Sequence, residues 1–187
     1  MRAAGEATRE RILTAAKAEF AAYGVAGARI NRIADAANAS KDRLYAYFPG
    51  KAELYDAVTE RWTAETAAEA ALDTDDIPGY IGRLFDHFLA HPDNARLQAW
   101  AELEPSAELR GEALRRAIDS KVVELRRGQD AGTLTREIPA PILLRMLTDL
   151  ARTAALRARA AALHLDADLL TAWRAATVVA ATRMVTP

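Results

Sequence analysis

The sequence predicts an all-α protein of about nine helices, in which a lobe of three helices precedes a larger helical bundle. Three observations predict this class. Alanine, the best helix former, accounts for 44 of the 187 residues. Apolar residues recur at the spacing of one helix face through most of the chain. Residues 30–54 have the pattern of two short helices separated by a tight turn, followed by the start of another helix.

Composition and charge narrow the class of protein. Hydrophobic residues make up 51% and charged residues 27% of the chain, as in ordinary globular proteins. Cysteine is absent, which excludes disulfides and thiolate metal sites. Neither a long apolar run nor a signal peptide is visible, so we expect a cytoplasmic protein with no membrane partner. Residues 1–54 carry nine basic and six acidic side chains, and the rest carries sixteen and twenty, which suits phosphate binding at one end.

The first two helices form the scaffold of the N-terminal lobe. The first is predicted from Thr8 to Tyr23, because its apolar residues follow helical spacing. Gly24 then follows as a left-handed residue that ends the helix, a conformation that glycine adopts without cost. The second helix is short, and it carries Ile33 and Ala34 on its inner side.

The third helix carries the most information. Ser40 follows the turn Asn38-Ala39 and is placed as an N-cap, whose hydroxyl accepts a backbone N–H one turn on. The helix then runs from Lys41 to Phe48, with Leu44 and Phe48 pointing into a core. Four side chains point the other way: Asp42, Arg43, Ala46 and Tyr47. A short helix with such a face, held against a partner by a tight turn, is what reading the DNA major groove requires.

A wider series of residues surrounds this helix, in a fixed order and spacing: Thr8-Arg9-Glu10-Arg11-Ile12-Leu13, Phe20, Tyr23-Gly24, Ile33-Ala34, Ser40-Lys41, Leu44-Tyr45-x-Tyr47-Phe48 and Lys51-x-x-Leu54. The series covers about the first third of the chain and resembles the helix-turn-helix of the TetR/AcrR family of bacterial transcriptional regulators. The resemblance implies a DNA-binding domain over residues 1–50 and a helical ligand-binding and dimerisation domain over residues 51–187. It also implies a homodimeric repressor that a small-molecule effector releases from a palindromic operator.

Three places depart from the common pattern of that family. Asn38-Ala39 stands where Gly-Val is usual, but asparagine tolerates a left-handed turn. Ala28-Arg29 replaces the usual Thr or Ser before the second helix, which removes an N-cap and a phosphate-binding hydroxyl. Asp42-Arg43 replaces Gly-Thr, and because an aspartate repels phosphate, Asp42 must face a base edge or pair with Arg43. These changes affect the operator sequence rather than the mode of binding.

Candidate DNA contacts follow from side-chain chemistry and from the resemblance. Arg43 is the first candidate for base reading because a guanidinium binds guanine N7 and O6 bidentately, and Lys41 is the second. Lys51 matches the phosphate-gripping lysine of the family, at a helix N-terminus whose free N–H groups also attract anions. Tyr45 and Tyr47 match phosphate-contact positions, although Tyr45 lies nearer the core side and packing is its alternative role. The full DNA-binding set is Arg29, Asn31, Arg32, Ser40, Lys41, Asp42, Arg43, Tyr45, Tyr47 and Lys51.

Six further helices are predicted after the break at Pro49-Gly50. They span about residues 51–72, 78–90, 95–103, 107–129, 142–163 and 166–184, with breaks at Pro105-Ser106 and His164-Leu165. Aromatic residues lie on the first three of them, where the family builds its effector pocket: Trp62, Tyr80, Phe85, Phe88 and Trp100. Aromatic walls suit an apolar or planar effector, and ordinary core packing is the alternative for each residue.

The last two helices carry more apolar surface than one partner helix would cover. The resemblance favours a symmetric homodimer in which both helices pair with their copies as a four-helix bundle. The predicted interface is Leu143, Leu147, Leu150, Ala154, Leu169, Ala172, Ala176 and Val179. Burial within one chain is the alternative.

The sequence contains few signals of metal binding or of enzymatic catalysis. His87 and His91 have a spacing that can bind a metal, with Asp86 and Asp93 nearby. A usable site needs a third ligand and supporting residues, which one sequence cannot show. An exposed or helix-capping histidine is the more frequent outcome, so neither a metal nor a cofactor is predicted. No Ser-His-Asp arrangement, glycine-rich phosphate loop or carboxylate pair indicates an enzyme. The other alternative to a DNA-binding regulator is a helical ligand-binding or protein-interaction module that kept the lobe and lost operator binding. Asp42 and the missing N-cap of the second helix would favour it.

Overall fold

The computed structural model describes residues 2–103, 112–162 and 167–187. Across these ranges the chain forms nine α-helices and no strand, which confirms the all-α prediction. The helices are α1 Arg2–Gly27, α2 Ile30–Ala36, α3 Lys41–Tyr47, α4 Lys51–Glu69, α5 Ile77–Ala90, α6 Pro92–Leu103, α7 Glu112–Asp130, α8 Ala140–Ala162 and α9 Ala167–Val185. No helix in the described ranges has both the length and the apolar character needed to cross a membrane.

Helix ends differ from the prediction by a few residues. α1 extends further in both directions and α4 is shorter than expected. α5 begins one residue early because Asp76 acts as its N-cap, and Asp76 Oδ1 accepts the Gly79 N–H at 2.8 Å. Three predicted features lie outside the described residues: the start of the seventh helix near Ala107, and the breaks at Pro105-Ser106 and His164-Leu165.

The N-terminal unit comprises residues 1–63 and 96–115. Its core contains apolar residues from α1 to α4, including Ile12, Phe20, Ile33, Leu44 and Leu54. Trp62 of α4 and Leu97 of α6 are also buried in this core. The packing unit therefore differs from the sequence-based boundary at residue 50, because these two helices supply side chains that complete it.

Gly24 interrupts α1 with a backbone conformation of φ 65° and ψ 179°. The positive φ agrees with the expectation from sequence, but ψ is extended, and helical turns resume over residues 25–27. Trp100 packs against this kink, and its Nε1 donates to the Ala21 carbonyl at 3.2 Å. A Cβ at position 24 would lie 2.8 Å from the Trp100 ring, so both the backbone and the packing require glycine.

The C-terminal unit comprises residues 64–95 and 116–187. α5, α8 and α9 pack against one another and supply most of its core. α5 is the most deeply buried of the three, with eight buried residues in fourteen. Arg174 of α9 binds both carboxylate oxygens of Asp86 on α5, with Nε 2.8 Å from Oδ1 and Nη2 2.8 Å from Oδ2.

The predicted dimer interface requires a correction on α8. Three of its residues are buried inside one chain, in the same core as Phe85: Leu143, Leu147 and Ala154. They leave almost no surface for a second copy to contact. Leu150 and Leu169 are half-buried, whereas three residues of α9 are exposed: Ala172, Ala176 and Val179.

Candidate nucleic-acid interface

The turn between α2 and α3 has the geometry that its residues predict. Asn38 adopts a positive φ of 49°, and the Ala39 N–H donates to the Ala34 carbonyl at 3.0 Å. Ser40 is the N-cap of α3, and its Oγ accepts the Arg43 N–H at 3.2 Å. Both sequence predictions for this turn are confirmed. The cap fixes the direction in which α3, only seven residues long, leaves the turn.

α3 has one buried face and one exposed face. Leu44 is 0% exposed and Phe48, which follows the last helical residue, is 4% exposed. Four polar or aromatic side chains on the other face are exposed and make no hydrogen bond or ion pair with the described part of the chain: Lys41, Asp42, Arg43 and Tyr45. Asp42 therefore does not pair with Arg43, and Tyr45, at 46% exposure, faces solvent rather than the core.

Tyr47 and Lys51 are engaged with α1. The Tyr47 hydroxyl donates to the Gly5 carbonyl at 2.9 Å, and Lys51 Nζ donates to the Ala26 carbonyl at 3.2 Å. An ammonium has three N–H donors, so Lys51 can keep this bond and still donate to a phosphate. A hydroxyl has one, so Tyr47 would have to release Gly5 in order to donate to a phosphate.

Glu19 of α1 organises the start of α2, a role that the sequence did not reveal. Its Oε1 accepts the Arg29 backbone N–H at 2.9 Å and Arg32 Nε at 2.7 Å. The N-cap residue Arg29 supplies no side-chain cap, and Glu19 from another helix instead accepts the N–H of Arg29 itself, the bond that the acidic residue makes in a capping box. Arg32 also donates to the Gly27 carbonyl and lies over the Tyr23 ring, 4.3 Å from its centroid. The Arg32 guanidinium is thus engaged in contacts within the protein, whereas the side chains of Arg29 and Asn31 are exposed.

The pKa of Glu19 links this capping arrangement to pH. Burial raises the pKa of the carboxyl, but the hydrogen bonds from Arg32 and the Arg29 N–H outweigh burial and hold it below the ordinary value of 4.5. A carboxyl whose pKa is lowered in the folded state stabilises the fold above its unfolded pKa. That contribution disappears as the pH falls through the folded pKa.

Glu19→Gln should therefore lower the free energy of unfolding at neutral pH by about 1–3 kcal/mol, because a hydrogen bond to a charged group becomes a neutral one. Urea unfolding of both proteins checks this, from pH 7 down through and below pH 4.5. The difference between the two proteins should shrink in the acid part of the range. A difference that stays constant across the titration would contradict the assigned ion pair.

The aromatic residues predicted to line an effector pocket fall into two cores. Trp62 is buried in the N-terminal unit, and Trp100 is half-buried there beside Gly24. Tyr80, Phe85 and Phe88 are fully buried together in the C-terminal unit. Lys121 of α7 lies by Tyr80, with Nζ 3.4 Å from the hydroxyl. Of the five predicted residues, only Tyr80, Phe85 and Phe88 are thus shown to share one core.

Comparison with known proteins agrees with this geometry. Residues 12–58 match the family model for bacterial regulatory proteins of the tetR family, and residues 76–183 match the tetracyclin repressor-like C-terminal domain. The chain is 46% identical over 151 residues to the HTH-type transcriptional repressor SCO4008 of Streptomyces coelicolor, covering 80% of this chain and 79% of that protein.

Solved structures of transcriptional regulators also match this chain. The transcriptional regulator SCO4942 of Streptomyces coelicolor is 42% identical with a TM-score of 0.77, over 96% of this chain and 99% of that one. A TetR-family regulator from Marinobacter aquaeolei VT8 is 19% identical with a TM-score of 0.76, over 100% of this chain and 99% of that one, and it supports the fold alone.

Proposed function

Because this chain belongs to the TetR family of bacterial transcriptional regulators, and is a DNA-binding regulator rather than an enzyme, we propose that it represses transcription from a palindromic operator. The proposal includes a homodimer as the binding species and a small molecule that releases it from DNA. Repression is supported by the relative SCO4008, which is a transcriptional repressor. Such a regulator would act in the cytoplasm, where the bacterial chromosome lies.

The observation that carries the proposal is the exposed face of α3. Lys41, Arg43 and Tyr45 are exposed and uncommitted, while Leu44 on the opposite face is fully buried. Unpaired donors on a helix held by a packed apolar face can exchange water for base edges without breaking internal bonds. Asp42 is also uncommitted, and its acceptor oxygens fit the N4 amino group of cytosine.

Phosphate contacts would come from the residues around α3. Lys51 stands at the first position of α4, where its ammonium adds to the free N–H groups and the positive end of the helix dipole. The exposed side chains of Arg29 and Asn31 at the start of α2 can add two more contacts. These contacts would set the register of the protein on the duplex without specifying its sequence.

The proposed dimer uses the exposed apolar surface of the C-terminal unit. α9 presents Ala172, Ala176 and Val179 at helical spacing, and small side chains allow helices to approach closely. On α8, Met146 is exposed and Leu150, one turn further on, is half-buried. These two residues are therefore the proposed contribution of α8 to the interface, in place of the buried Leu143 and Leu147. A two-fold dimer would present its two α3 helices to half-sites about 34 Å apart.

The proposed effector site is the aromatic core of the C-terminal unit. Tyr80, Phe85 and Phe88 supply apolar ring surface, which suits an apolar or planar ligand. Because these rings are fully buried, an effector that reaches them has to displace core packing. A ligand that binds only the displaced arrangement would shift the population away from the state that fits the operator.

Arg43→Ala should relax the selectivity of the protein at one operator position by about 1–3 kcal/mol. The Arg43 backbone N–H that Ser40 caps remains, so the helix geometry is kept. Competition binding with single base substitutions across the operator measures the effect. Equal weakening on every sequence would make Arg43 a backbone contact instead.

Lys51→Ala should weaken binding to all DNA sequences and reduce the salt slope by about one unit, since one phosphate contact is lost. Anisotropy titrations over a salt series, on operator and on unrelated DNA, measure both quantities. Arg126→Ala removes the same charge from an exposed position of α7 and serves as the matched control. An unchanged slope in Lys51→Ala would remove this lysine from the interface.

A further inference from the structure

Three potential metal ligands converge in the C-terminal unit. Glu69 is the last residue of α4, His87 lies in the last turn of α5, and His91 is the C-cap of α5. Glu69 Oε2 lies 2.8 Å from His87 Nδ1 and 3.3 Å from His91 Nε2. One donor atom from each residue lies within 4.8 Å of the other two. Asp86, one of the two acidic neighbours suggested by the sequence, is instead bound to Arg174.

The hydrogen bonds of His87 define its tautomer. A carboxylate only accepts, so Nδ1 carries the proton and donates to Glu69. Nε2 then accepts from the Thr66 hydroxyl and the Asn94 amide, each at 3.1 Å. The Nδ1 proton that faces Glu69 is the one that a metal ion on Nδ1 would displace.

Asn94 has a spare acceptor beside this ring. The residue is 0% exposed, and its Oδ1 is buried without a hydrogen-bond partner in the described chain. A buried amide oxygen without a partner is costly, and native proteins rarely leave one. A metal ion on Nδ1 would move the ring proton to Nε2. A half-turn of the Asn94 amide would then bring Oδ1 against that proton, in exchange for the 3.4 Å hydrogen bond that Nδ2 now donates to Glu65.

We propose that Glu69, His87 and His91 bind a divalent first-row transition-metal ion of the Zn²⁺ class, with Asn94 orienting His87. In a tetrahedral Zn²⁺ site, bonds of about 2.0–2.1 Å put ligand atoms roughly 3.3–3.4 Å apart. The Glu69–His91 distance already fits, and the Glu69–His87 pair has to open slightly. Glu69 and His91 side chains are 48% and 39% exposed, so they can adjust and leave a fourth position to water.

The donor set selects the class of ion. Two imidazole nitrogens and one carboxylate suit Zn²⁺, Co²⁺ and Ni²⁺, whereas Mg²⁺ and Ca²⁺ prefer sites made of oxygen. A ligating histidine usually donates its other ring N–H to an oxygen acceptor, and Asn94 Oδ1 would fill that role for His87. The site concerns binding alone and does not depend on the proposed operator or effector.

The test is titration of the full-length, tag-free protein with Co²⁺, after removal of metal with EDTA. We expect one Co²⁺ per chain with the intense visible absorption of a tetrahedral ion, displacement of Co²⁺ by Zn²⁺, and no displacement by Mg²⁺. Zn²⁺ should also raise the melting temperature, because it binds the folded chain. A wild-type protein that shows no tetrahedral Co²⁺ signal would overturn the proposal.

Variants then assign the ligands. His91→Ala and Glu69→Gln change partly exposed side chains and should each weaken binding at least about 100-fold, whereas Asn94→Ala should weaken it about 10- to 100-fold. Glu137→Gln removes a carboxylate from an exposed loop and should leave binding unchanged. Circular dichroism in EDTA checks that each variant is folded. Wild-type affinity in both His91→Ala and Glu69→Gln would place the ion elsewhere and overturn the assigned site.

Discussion

Leu44→Ala should destabilise the N-terminal unit by about 2–5 kcal/mol, the cost of removing a buried leucine side chain and leaving a cavity. Leu44 is 0% exposed and is the one residue of α3 that is buried outright. A seven-residue helix cannot persist without such packing, so α3 should lose its order before the rest of the unit unfolds. DNA binding should be lost with it, even though no base-reading side chain has changed.

Hydrogen exchange at the α3 amides measures this effect locally, and urea unfolding measures it for the unit. Tyr45→Ala is the matched control, because Tyr45 is the adjacent residue and faces solvent. It should change stability by no more than about 0.5 kcal/mol. Protected α3 amides in Leu44→Ala would show that the helix is held by contacts other than this leucine.

Gly24→Ala should destabilise the same unit by about 2–5 kcal/mol, from two sources that add. A φ of 65° with a ψ of 179° lies in a region that is essentially restricted to glycine. The new Cβ would also lie 2.8 Å from the ring of Trp100, which is tied to Ala21 by its indole N–H. Either the kink or the position of Trp100 has to change.

Gly132→Ala separates the cost of backbone strain from the cost of the contact with Trp100. Gly132 also has a positive φ, of 75°, but a Cβ there would have no atom within 4 Å. The control should therefore cost only backbone strain, about 1–2 kcal/mol. Thermal unfolding of both variants and the wild type gives the comparison. Equal losses in the two variants would mean that contact with Trp100 contributes nothing.

The helix-turn-helix could be predicted from the sequence because its signals are local. Ser40 acts through an N–H three residues away, and Asn38 takes its positive φ from its own chemistry. The inward position of Leu44 follows from helical periodicity alone. Each of these predictions depends on residues within one turn of one another, so no knowledge of the tertiary fold was needed.

Contacts between distant residues could not be predicted in this way. Glu19 lies ten residues before the Arg29 N–H that it accepts, and Trp100 lies 79 residues after Ala21. The metal-ligand geometry at Glu69 depends on how α4 and α5 meet, which periodicity does not determine. The error in the dimer interface has the same origin: Leu143 and Leu147 have the apolar spacing of an interface, but they pack into the core of their own chain.

The most direct test of the account is fluorescence anisotropy of the wild-type protein and a Lys41→Ala/Arg43→Ala double variant, across a salt series. The DNA is first the region upstream of its own gene, and then a pool selected from random sequence. We predict a competitor-resistant wild-type complex with palindromic protection, and a double variant that retains only salt-sensitive, sequence-independent binding. Wild-type protein that selects no sequence from the random pool would contradict the account, and would favour a helical binding module that has lost operator binding.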